Sequence, residues 1–279
     1  MRIATYSRTF QILKDYGIYA NKSFGQNFII EYKIIDKIVD AATIDKETGV
    51  IEIGPGIGAL TEGLLLKAKK VVAFEIDKKL IDLLNNELKD FDNFTVINQD
   101  FLEINIDEVV EKYFKDFERV VIVSNLPYYI TTPILIKIFE ESTKIESVTA
   151  MMQKEVGQRI CAKKGGKEYN NLSIMSSYYS DCHIALHVSK NIFTPRPNVD
   201  SCVVKFILNK KKENVKNEKL FLNVLRSSFA MRRKKLINNL EIFDKEKVKE
   251  ILLKLNINEN VRAEELELND FINIANNLE

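Results

Sequence analysis

The stretch V-I-E-I-G-P-G-I-G-A-L-T, Val50–Thr61, decides the fold. Its apolar start predicts a buried strand that ends at Gly54, and the residues after Gly58 begin a helical pattern. Glycines let the backbone turn sharply and let a ligand approach it closely, which places Gly54 and Gly56 beside a ligand. The spacing G-x-G-x-G differs from the G-x-G-x-x-G of nicotinamide dinucleotide sites. The stretch therefore predicts a strand, a ligand-binding turn and a helix.

Further strands and helices alternate on both sides of this turn. The strand-like runs are Val50–Gly54, Val71–Asp77, Thr95–Asp100, Arg119–Asn125 and Ser147–Gln153. The amphipathic helical stretches between them include Ala59–Ala68, Asp77–Lys89 and Thr131–Glu141. Two later runs, His183–Ser189 and Ser201–Leu208, are predicted to form an antiparallel pair that completes the sheet. This order predicts an α/β fold, with a mostly parallel sheet covered by helices on both faces.

The pattern changes at Asn209. The polar and charged residues 209–218 are typical of a linker, and Leu220–Leu278 contains helical patterns only. We therefore predict two domains, a ligand-binding catalytic domain at 1–208 and a small all-helical domain at 209–279.

Composition narrows the function classes. Of the 279 residues, 46% are hydrophobic and 29% are charged, which is typical of folded globular domains. The net charge of +1 gives no general support for nucleic-acid binding. The three cysteines form no C-x-x-C pair and the two histidines lie in an apolar alternating stretch, so we expect buried thiols, no disulfide framework and no metal. Without a signal peptide or an apolar run long enough to span a membrane, the chain is expected to be soluble and cytoplasmic.

Two acids stand at the ends of successive predicted strands. Glu75 can accept hydrogen bonds from both ribose hydroxyls of a nucleoside, and Asp100 can accept one from an adenine amine. Asp77 is an alternative ribose ligand, and these acids can also simply begin helices, whose dipole favours negative charge. The spacing of the glycine turn resembles that of class I methyltransferases. Together these features predict binding of S-adenosylmethionine.

The fourth predicted strand ends in Asn125-Leu126-Pro127-Tyr128, beside the expected methyl donor. An adenine N6 amine is a poor nucleophile because its lone pair is conjugated with the ring. An Asn carbonyl and a main-chain carbonyl can hold both amine hydrogens and favour the tetrahedral nitrogen that attacks the methyl group. Pro127 stiffens the turn, so that these acceptors are preorganised. No strong general base is needed, since the proton becomes acidic once the methyl group has been transferred.

Aromatic side chains are the candidate walls of a pocket for the target base. Tyr128 offers a stacking face, and a base that is paired in a helix has to leave its stack to reach it. Phe193 is a candidate for the second wall, with ordinary core packing as the alternative. The role of Tyr129 stays open.

A basic segment follows in the helical region. Residues 226–235, R-S-S-F-A-M-R-R-K-K, contain five cations and no acid, which favours a local phosphate-binding surface. Its cations are Arg226, Arg232, Arg233, Lys234 and Lys235, and Lys22 is a further candidate nearer the N-terminus. The alternative is a solvated run of charges.

Taken together, these motifs resemble those of the small-subunit ribosomal RNA adenine dimethyltransferases, the KsgA family. The matching segments are K-S-F-G-Q-N-F at Lys22–Phe28, then E-I-G-P-G-I-G, F-E-I-D, N-Q-D-F and N-L-P-Y, then F-T-P-R-P-N-V-D-S-C-V-V at Phe193–Val204, R-R-K-K-L-I-N-N-L at Arg232–Leu240 and R-A-E-E-L at Arg262–Leu266. The resemblance covers nearly the whole chain, and its last two segments favour this family in particular.

The resemblance implies a class I, Rossmann-like methyltransferase that dimethylates two adjacent adenines in the 3′-terminal hairpin loop of small-subunit RNA, within an assembling 30S particle. It also implies a monomer. The residues that it implies for the cofactor are Asn27, Ile29, Gly54, Glu75, Asp100 and Asn125. Ile29 stands where Leu is usual and Tyr129 where Asn is common in bacterial members.

Two other functions remain open at this stage. An Erm-type enzyme would methylate one adenine of large-subunit RNA, although such enzymes commonly carry Ile in place of Leu126. A ribosome assembly factor would keep the fold without the chemistry, although the intact Glu75, Asp100 and Asn125 argue against it.

Overall fold

The central strands are apolar along their length, so helices have to cover both of their faces. The computed structural model describes residues 2–19, 26–208 and 214–279. In it, the strand Thr48–Ile53 is buried at every position. The strands are β1 Phe28–Ile29, β2 Thr48–Ile53, β3 Lys70–Glu75, β4 Phe94–Asn98, β5 Arg119–Asn125, β6 Ser147–Gln153, β7 Ser180–Val188, β8 Phe193–Thr194 and β9 Ser201–Leu208.

Seven strands form one sheet in the order β4-β3-β2-β5-β6-β9-β7. The pairs β2/β3, β2/β5, β3/β4 and β5/β6 are parallel, and β9 is antiparallel to β6. From β2 the chain adds β3 and then β4 on one side of that strand, and it then adds β5 on the other side of β2. This reversal creates a switch point between the carboxyl ends of β2 and β5, which is where ligands of such sheets bind.

Helices connect these strands, and further helices follow the last strand. They are α1 Tyr6–Asp15, α2 Tyr32–Ala42, α3 Ala59–Lys67, α4 Lys78–Glu87, α5 Ile106–Phe114, α6 Thr131–Glu141, α7 Lys154–Ile160, α8 Asn171–Tyr179, α9 Glu218–Ser228, α10 Leu236–Asn239, α11 Lys245–Lys254 and α12 Leu268–Leu278. Side chains cap several of them; the Asp77 carboxylate, for example, accepts a hydrogen bond from Lys79 N at the start of α4. The predicted α/β class with a parallel-dominated sheet is confirmed.

A second, two-stranded sheet was not predicted. β1 and β8 pair antiparallel, with Ile29 opposite Phe193. Each strand has only two residues, which is too short for any periodic pattern to identify, and its partner lies far away in the sequence. This pairing brings the residues before β1 to the carboxyl edge of the main sheet.

The chain divides into two compact units, and the division differs from the predicted boundary between 208 and 209. The first unit comprises Met1–Gly157 and His183–Leu208, and the second comprises Gln158–Cys182 and Asn209–Glu279. The segment 158–182 belongs to the second unit because its helix α8 packs there: the Tyr178 ring lies 4.8 Å from that of Phe221 in α9. The predicted linker 209–218 lies in part outside the described residues, and its last residue already begins α9.

The second unit is built from helices around an aromatic core. Phe229 packs against Phe271 of α12 with 5.8 Å between ring centroids, and the Tyr169 hydroxyl donates a hydrogen bond to the Leu266 carbonyl. The prediction of helices alone between Leu220 and Leu278 is confirmed, with α9 to α12 and a short 3₁₀ turn at Ala263–Glu265.

The prediction that the three cysteines are buried holds for one of them. Cys202 is buried as predicted, but Cys161 and Cys182 are only partly buried, because they lie at the edges of the segment 158–182 and not in the core of the sheet. None of the helices in the described ranges combines the length and the hydropathy that a bilayer-spanning segment needs.

Candidate active site

A cavity opens at the switch point between β2 and β5, entirely within the first unit. The segments before and within β1, the glycine turn, and the ends of β3, β4 and β5 contribute its walls. The lining residues include Asn27, Ile29, Glu52, Gly54, Gly56, Glu75, Asp100, Asn125, Leu126, Pro127, Tyr128 and Tyr129. All the residues predicted to contact the cofactor therefore line one cavity.

The glycine turn depends on backbone angles that other residues rarely adopt. Gly54 and Gly56 have φ values of 65° and 60°, in the left-handed region. A Cβ atom at Gly54 would lie 3.6 Å from Pro127 Cγ, so the turn passes directly beside the Asn-Leu-Pro-Tyr motif. The Ser124 hydroxyl, which donates to the Ile53 carbonyl at 2.6 Å, ties the ends of β5 and β2 together.

Glu75 is held in the cavity wall by its backbone neighbours. Its Oε2 accepts from Gly56 N at 3.3 Å and its Oε1 from Asp77 N at 3.0 Å. Burial raises the pKa of this carboxyl, and the two backbone hydrogen bonds oppose that rise. Of the two candidate ribose ligands, only Glu75 lines the cavity, because the Asp77 carboxylate caps α4.

Asp100 begins a 3₁₀ turn and also lies in the cavity wall. Its Oδ1 accepts a hydrogen bond from Leu102 N at 2.8 Å and so begins a 3₁₀ turn at Phe101–Glu103. The same side chain lines the cavity. A capping role therefore does not exclude contact with a ligand.

Asn125 presents an unsatisfied acceptor. It is the last residue of β5, and among the described residues no donor reaches its buried Oδ1. A buried carbonyl oxygen without a hydrogen bond is costly, on the order of 1–3 kcal/mol, so such an atom at a cavity wall is suited to a ligand donor. The next residue is fixed by the hydrogen bond from Leu126 N to the Met151 carbonyl.

The two tyrosines of the cavity differ in how they are held. The Tyr128 hydroxyl lies 2.6 Å from Ser201 Oγ, which orients a half-buried ring. The Tyr129 side chain is 50% exposed. Burial first, and then the charges of Asp100 and Glu75, raise the pKa of the Tyr129 phenol, so this ring stands near both acids of the cavity.

The structure does not place Phe193 in the cavity. Its side chain is 3% exposed and belongs to the hydrophobic core, next to Ile29 in the short sheet. Core packing accounts for the burial of Phe193, and its role as a second stacking wall stays a prediction. The sequence could not separate these roles, since an aromatic in a short strand fits both.

Sequence reasoning missed two residues of this site. Ser201, which orients Tyr128, begins a predicted strand and lies in a segment that resembles the family, but neither feature indicated a role in the site. Glu52 is fully buried in the cavity wall, and burial raises its pKa to about 8, with the Thr61 hydroxyl opposing and Glu75 adding to the shift. An acid inside an otherwise apolar strand was the signal available for it.

The predicted phosphate-binding residues lie in the second unit. Arg226, Arg232, Arg233, Lys234 and Lys235 all have exposed side chains. Lys22 lies outside the described residues. Arg232 donates a hydrogen bond to the Lys167 carbonyl, which brings a second basic segment with Lys163, Lys164 and Lys167 beside the first. Because these two basic segments lie far apart in the sequence, the sequence alone did not indicate that they are neighbours.

Comparison with known proteins identifies similar chains over almost the full length. Residues 18–279 match the model of a family described as ribosomal RNA adenine dimethylase. The chain is 45% identical over 284 residues to ribosomal RNA small subunit methyltransferase A of Bacillus pumilus, with 99% of this chain and 97% of the relative covered. It is 46% identical to the protein of the same description from Bacillus cytotoxicus, with the same coverage.

Solved structures have the same architecture. A dimethyladenosine transferase from Plasmodium falciparum superposes with a TM-score of 0.74 at 27% identity, covering 88% of this chain and 95% of that one. The 23S rRNA methyltransferase ErmE superposes with a TM-score of 0.68 at 22% identity, covering 90% and 99%. The latter likeness concerns the fold alone.

Proposed function

The chain belongs to the family of ribosomal RNA adenine dimethylases, and from this membership we propose that it methylates the N6 amines of adenines in small-subunit ribosomal RNA. The product is N6,N6-dimethyladenosine. The single observation that carries the assignment to this cavity is the buried, unsatisfied Oδ1 of Asn125 beside the glycine turn.

The cavity fits S-adenosylmethionine, which supplies an electrophilic methyl group on a sulfonium centre. Glu75 holds the ribose hydroxyls with a carboxylate that is already oriented by Gly56 N and Asp77 N. Asp100 accepts a hydrogen bond from the adenine amine of the donor. Asn27 and Ile29 also line the cavity, and Gly54 and Gly56 allow close approach to the backbone.

Asn125 and Leu126 prepare the target amine. The Asn125 Oδ1 accepts one amine hydrogen. The Pro127 carbonyl already accepts from Ile130 N and from Thr131 Oγ1, and we propose the Leu126 carbonyl as the main-chain acceptor for the second hydrogen. Two acceptors localise the nitrogen lone pair for attack on the methyl group, and because they are preorganised they need little rearrangement.

Tyr128 provides the stacking face for the target base. Its hydroxyl is anchored by Ser201, and this fixes the plane of the ring before the base arrives. Base–aromatic stacking is worth roughly 1–3 kcal/mol for each base. This contribution offsets part of the cost of taking the adenine out of its stack.

The exposed cations of the second unit position the RNA. Arg226, Arg232–Lys235 and the neighbouring Lys163 and Lys167 are proposed to form a basic surface, which binds phosphates irrespective of sequence. Lys164 is instead paired with Glu267. Lys22 is proposed as a further contact. The resemblance to the KsgA family implies the target, which we propose to be two adjacent adenines in the 3′-terminal hairpin loop of the RNA within the 30S particle. A nearly neutral chain with a local basic surface suits recognition of a single folded particle. The enzyme is proposed to act there as a monomer, in the cytoplasm and without a metal ion.

Methyl incorporation from labelled S-adenosylmethionine tests this function. Small-subunit particles that lack the two dimethyladenosines should take up label, whereas fully methylated small subunits and large subunits should not. Label that enters only large-subunit RNA would identify an Erm-type enzyme. Tight binding to small subunits without any incorporation would identify an assembly factor.

A further inference from the structure

Two thiols of the second unit meet, although they lie far apart in the sequence. Cys161 follows helix α7 and Cys182 lies in the first residues of β7. The Cys182 thiol donates a hydrogen bond to the carbonyl of Ile160, the residue before Cys161, with 3.9 Å between sulfur and oxygen, so the two cysteines are neighbours in the fold. Both residues are partly exposed, whereas the third cysteine, Cys202, is fully buried in the first unit.

The surroundings of Cys182 favour its thiolate. The Ser176 hydroxyl donates to Cys182 Sγ at 3.2 Å. The hydrogen bond from Cys161, and then that from Ser176, lower the pKa of Cys182 to about 7, against burial and the charge of Asp181. Burial instead raises the pKa of Cys202 to about 11. A thiolate that small molecules can reach is the reactive form of cysteine, so Cys182 is the nucleophile of the pair.

We propose that Cys161 and Cys182 form a dithiol modification site, which low-molecular-weight disulfides such as glutathione disulfide convert to an intramolecular disulfide. The Cys182 thiolate attacks one sulfur of glutathione disulfide, forms a mixed disulfide and releases one glutathione thiolate. The Cys161 sulfur then attacks Cys182 Sγ and releases the second glutathione. The two thiol protons pass to the two released thiolates, so the protein is oxidised by two electrons and glutathione disulfide is reduced by two.

The bond would close the segment between Cys161 and Cys182 into a loop that carries α8. This helix packs in the second unit through Tyr178 against Phe221 and through the hydrogen bond from the Tyr179 hydroxyl to Glu218. Intracellular disulfides of this kind are usually transient and respond to redox conditions. The proposal does not depend on the methyltransferase function.

Peptide mass spectrometry of the full chain, incubated with mixtures of glutathione disulfide and glutathione and then alkylated, tests the proposal. We expect a chain that has lost two hydrogen atoms, a Cys161–Cys182 cross-linked peptide, and Cys202 still reduced. Cys161→Ser and Cys182→Ser should each prevent the cross-link, and Cys161→Ser should accumulate the glutathione adduct on Cys182. Cys202→Ser should behave as the unsubstituted chain. Stable glutathione adducts on the unsubstituted chain with no cross-link would overturn the proposal.

A second measurement examines the reactivity of Cys182 without relying on cysteine variants. Ser176→Ala removes the hydrogen bond to Cys182 Sγ, and Ser177→Ala, whose hydroxyl bonds to the Ser173 carbonyl, is the matched control. At a pH below the pKa of Cys182, each unit by which that pKa rises lowers the fraction of thiolate about tenfold. The same rise increases the nucleophilicity of the remaining thiolate about threefold. The rate of alkylation of Cys182 by iodoacetamide should therefore fall about threefold per unit in Ser176→Ala alone. Equal rates in both variants would contradict the role given to Ser176.

Discussion

Glu75 and Asp77 lie two residues apart, and the structure gives them different tasks. Replacing Glu75 by Gln removes the negative charge that would accept the ribose hydroxyls, and hydrogen bonds to charged groups are worth about 1.5–3 kcal/mol. We therefore predict that Glu75→Gln raises the Kd for S-adenosylmethionine by roughly tenfold to a hundredfold, measured by isothermal titration calorimetry. Asp77→Asn is the matched control, because asparagine also caps helices well and Asp77 is outside the cavity. If Asp77→Asn lost more affinity for S-adenosylmethionine than Glu75→Gln, then Asp77 and not Glu75 would be the ribose ligand.

Glu52 makes the stability of the ligand-free protein depend on pH. Its pKa is about 8 in the folded chain, against the ordinary 4.5 of a glutamate side chain. Between these values the folded state holds a proton that the unfolded state has lost, so the free energy of unfolding falls as the pH rises toward 8. We predict that Glu52→Gln, which keeps the shape without the charge, flattens this fall and is more stable than the wild type above pH 8.

Urea denaturation at a series of pH values measures this effect. The gain above pH 8 should be a few kcal/mol, since each pKa unit corresponds to about 1.4 kcal/mol. Below pH 4.5 the two proteins should have similar stability, because the carboxyl is then protonated in both states. The opposite trend would refute the burial of an ionisable Glu52. In that case the stability of the wild type would rise between pH 4.5 and pH 8, and that of Glu52→Gln would not.

At the scale of elements, the loop between β2 and α3 joins the cofactor site to the target-base motif. Gly54→Ala places a side chain at a φ of 65°, which costs about 1–2 kcal/mol, and relief of this strain would displace a loop that touches Pro127. We predict a lower melting temperature together with weaker S-adenosylmethionine binding. Gly17→Ala is the matched control, because Gly17 has a φ of 60° with open space around it and lies outside the cavity.

The control should lose stability to a similar extent and keep its affinity for the cofactor. Thermal unfolding and calorimetry on both variants therefore separate backbone strain from the shape of the site. Equal affinities in Gly54→Ala, Gly17→Ala and the wild type would mean that the loop does not shape the cofactor site.

The sequence predicted the elements that carry strong periodic signals. The bounds of Arg119–Asn125, Ser147–Gln153 and Ser201–Leu208 agree with the structure, because long apolar strands have both a clear pattern and clear ends. The pairing of Phe28–Ile29 with Phe193–Thr194 was missed, because it rests on four residues that only the folded chain brings together. For the same reason Phe193 was considered for a stacking wall, although it packs in the core.

At the scale of the whole chain, the division into units also shows where sequence reasoning stops. A change of composition at Asn209 is visible in the sequence, but the membership of 158–182 in the second unit depends on packing of α8 against distant helices. The basic surface is missed in part for the same reason, since Lys167 meets Arg232 only in the fold. Chemistry that follows one motif, such as Asn125 to Tyr128, is therefore easier to predict than a surface assembled from two segments.

This basic surface should affect binding of the RNA particle and not the chemical step. We predict that the double substitution Arg233→Ala with Lys234→Ala raises KM for small-subunit particles and leaves kcat within about twofold, because phosphate contacts position the substrate. The slope of log affinity against log salt concentration should decrease by about one for each lost phosphate contact. Lys245→Ala with Lys254→Ala, at the two ends of α11, removes the same charge elsewhere in the second unit. If this control has the same effect, the net charge of the unit and not the proposed surface is responsible.

The Asn125 carbonyl is proposed to hold the target amine during methyl transfer, and quantification of N6,N6-dimethyladenosine in small-subunit RNA tests this role. Undermethylated particles are incubated with S-adenosylmethionine and the wild type, Asn125→Ala, or Asn105→Ala, which removes a helix cap outside the cavity. The wild type and Asn105→Ala should form the product. Asn125→Ala should bind the particle normally and form at least about a hundredfold less, in line with the loss of a preorganised electrostatic partner. Formation of dimethyladenosine by Asn125→Ala at the wild-type rate would contradict the account.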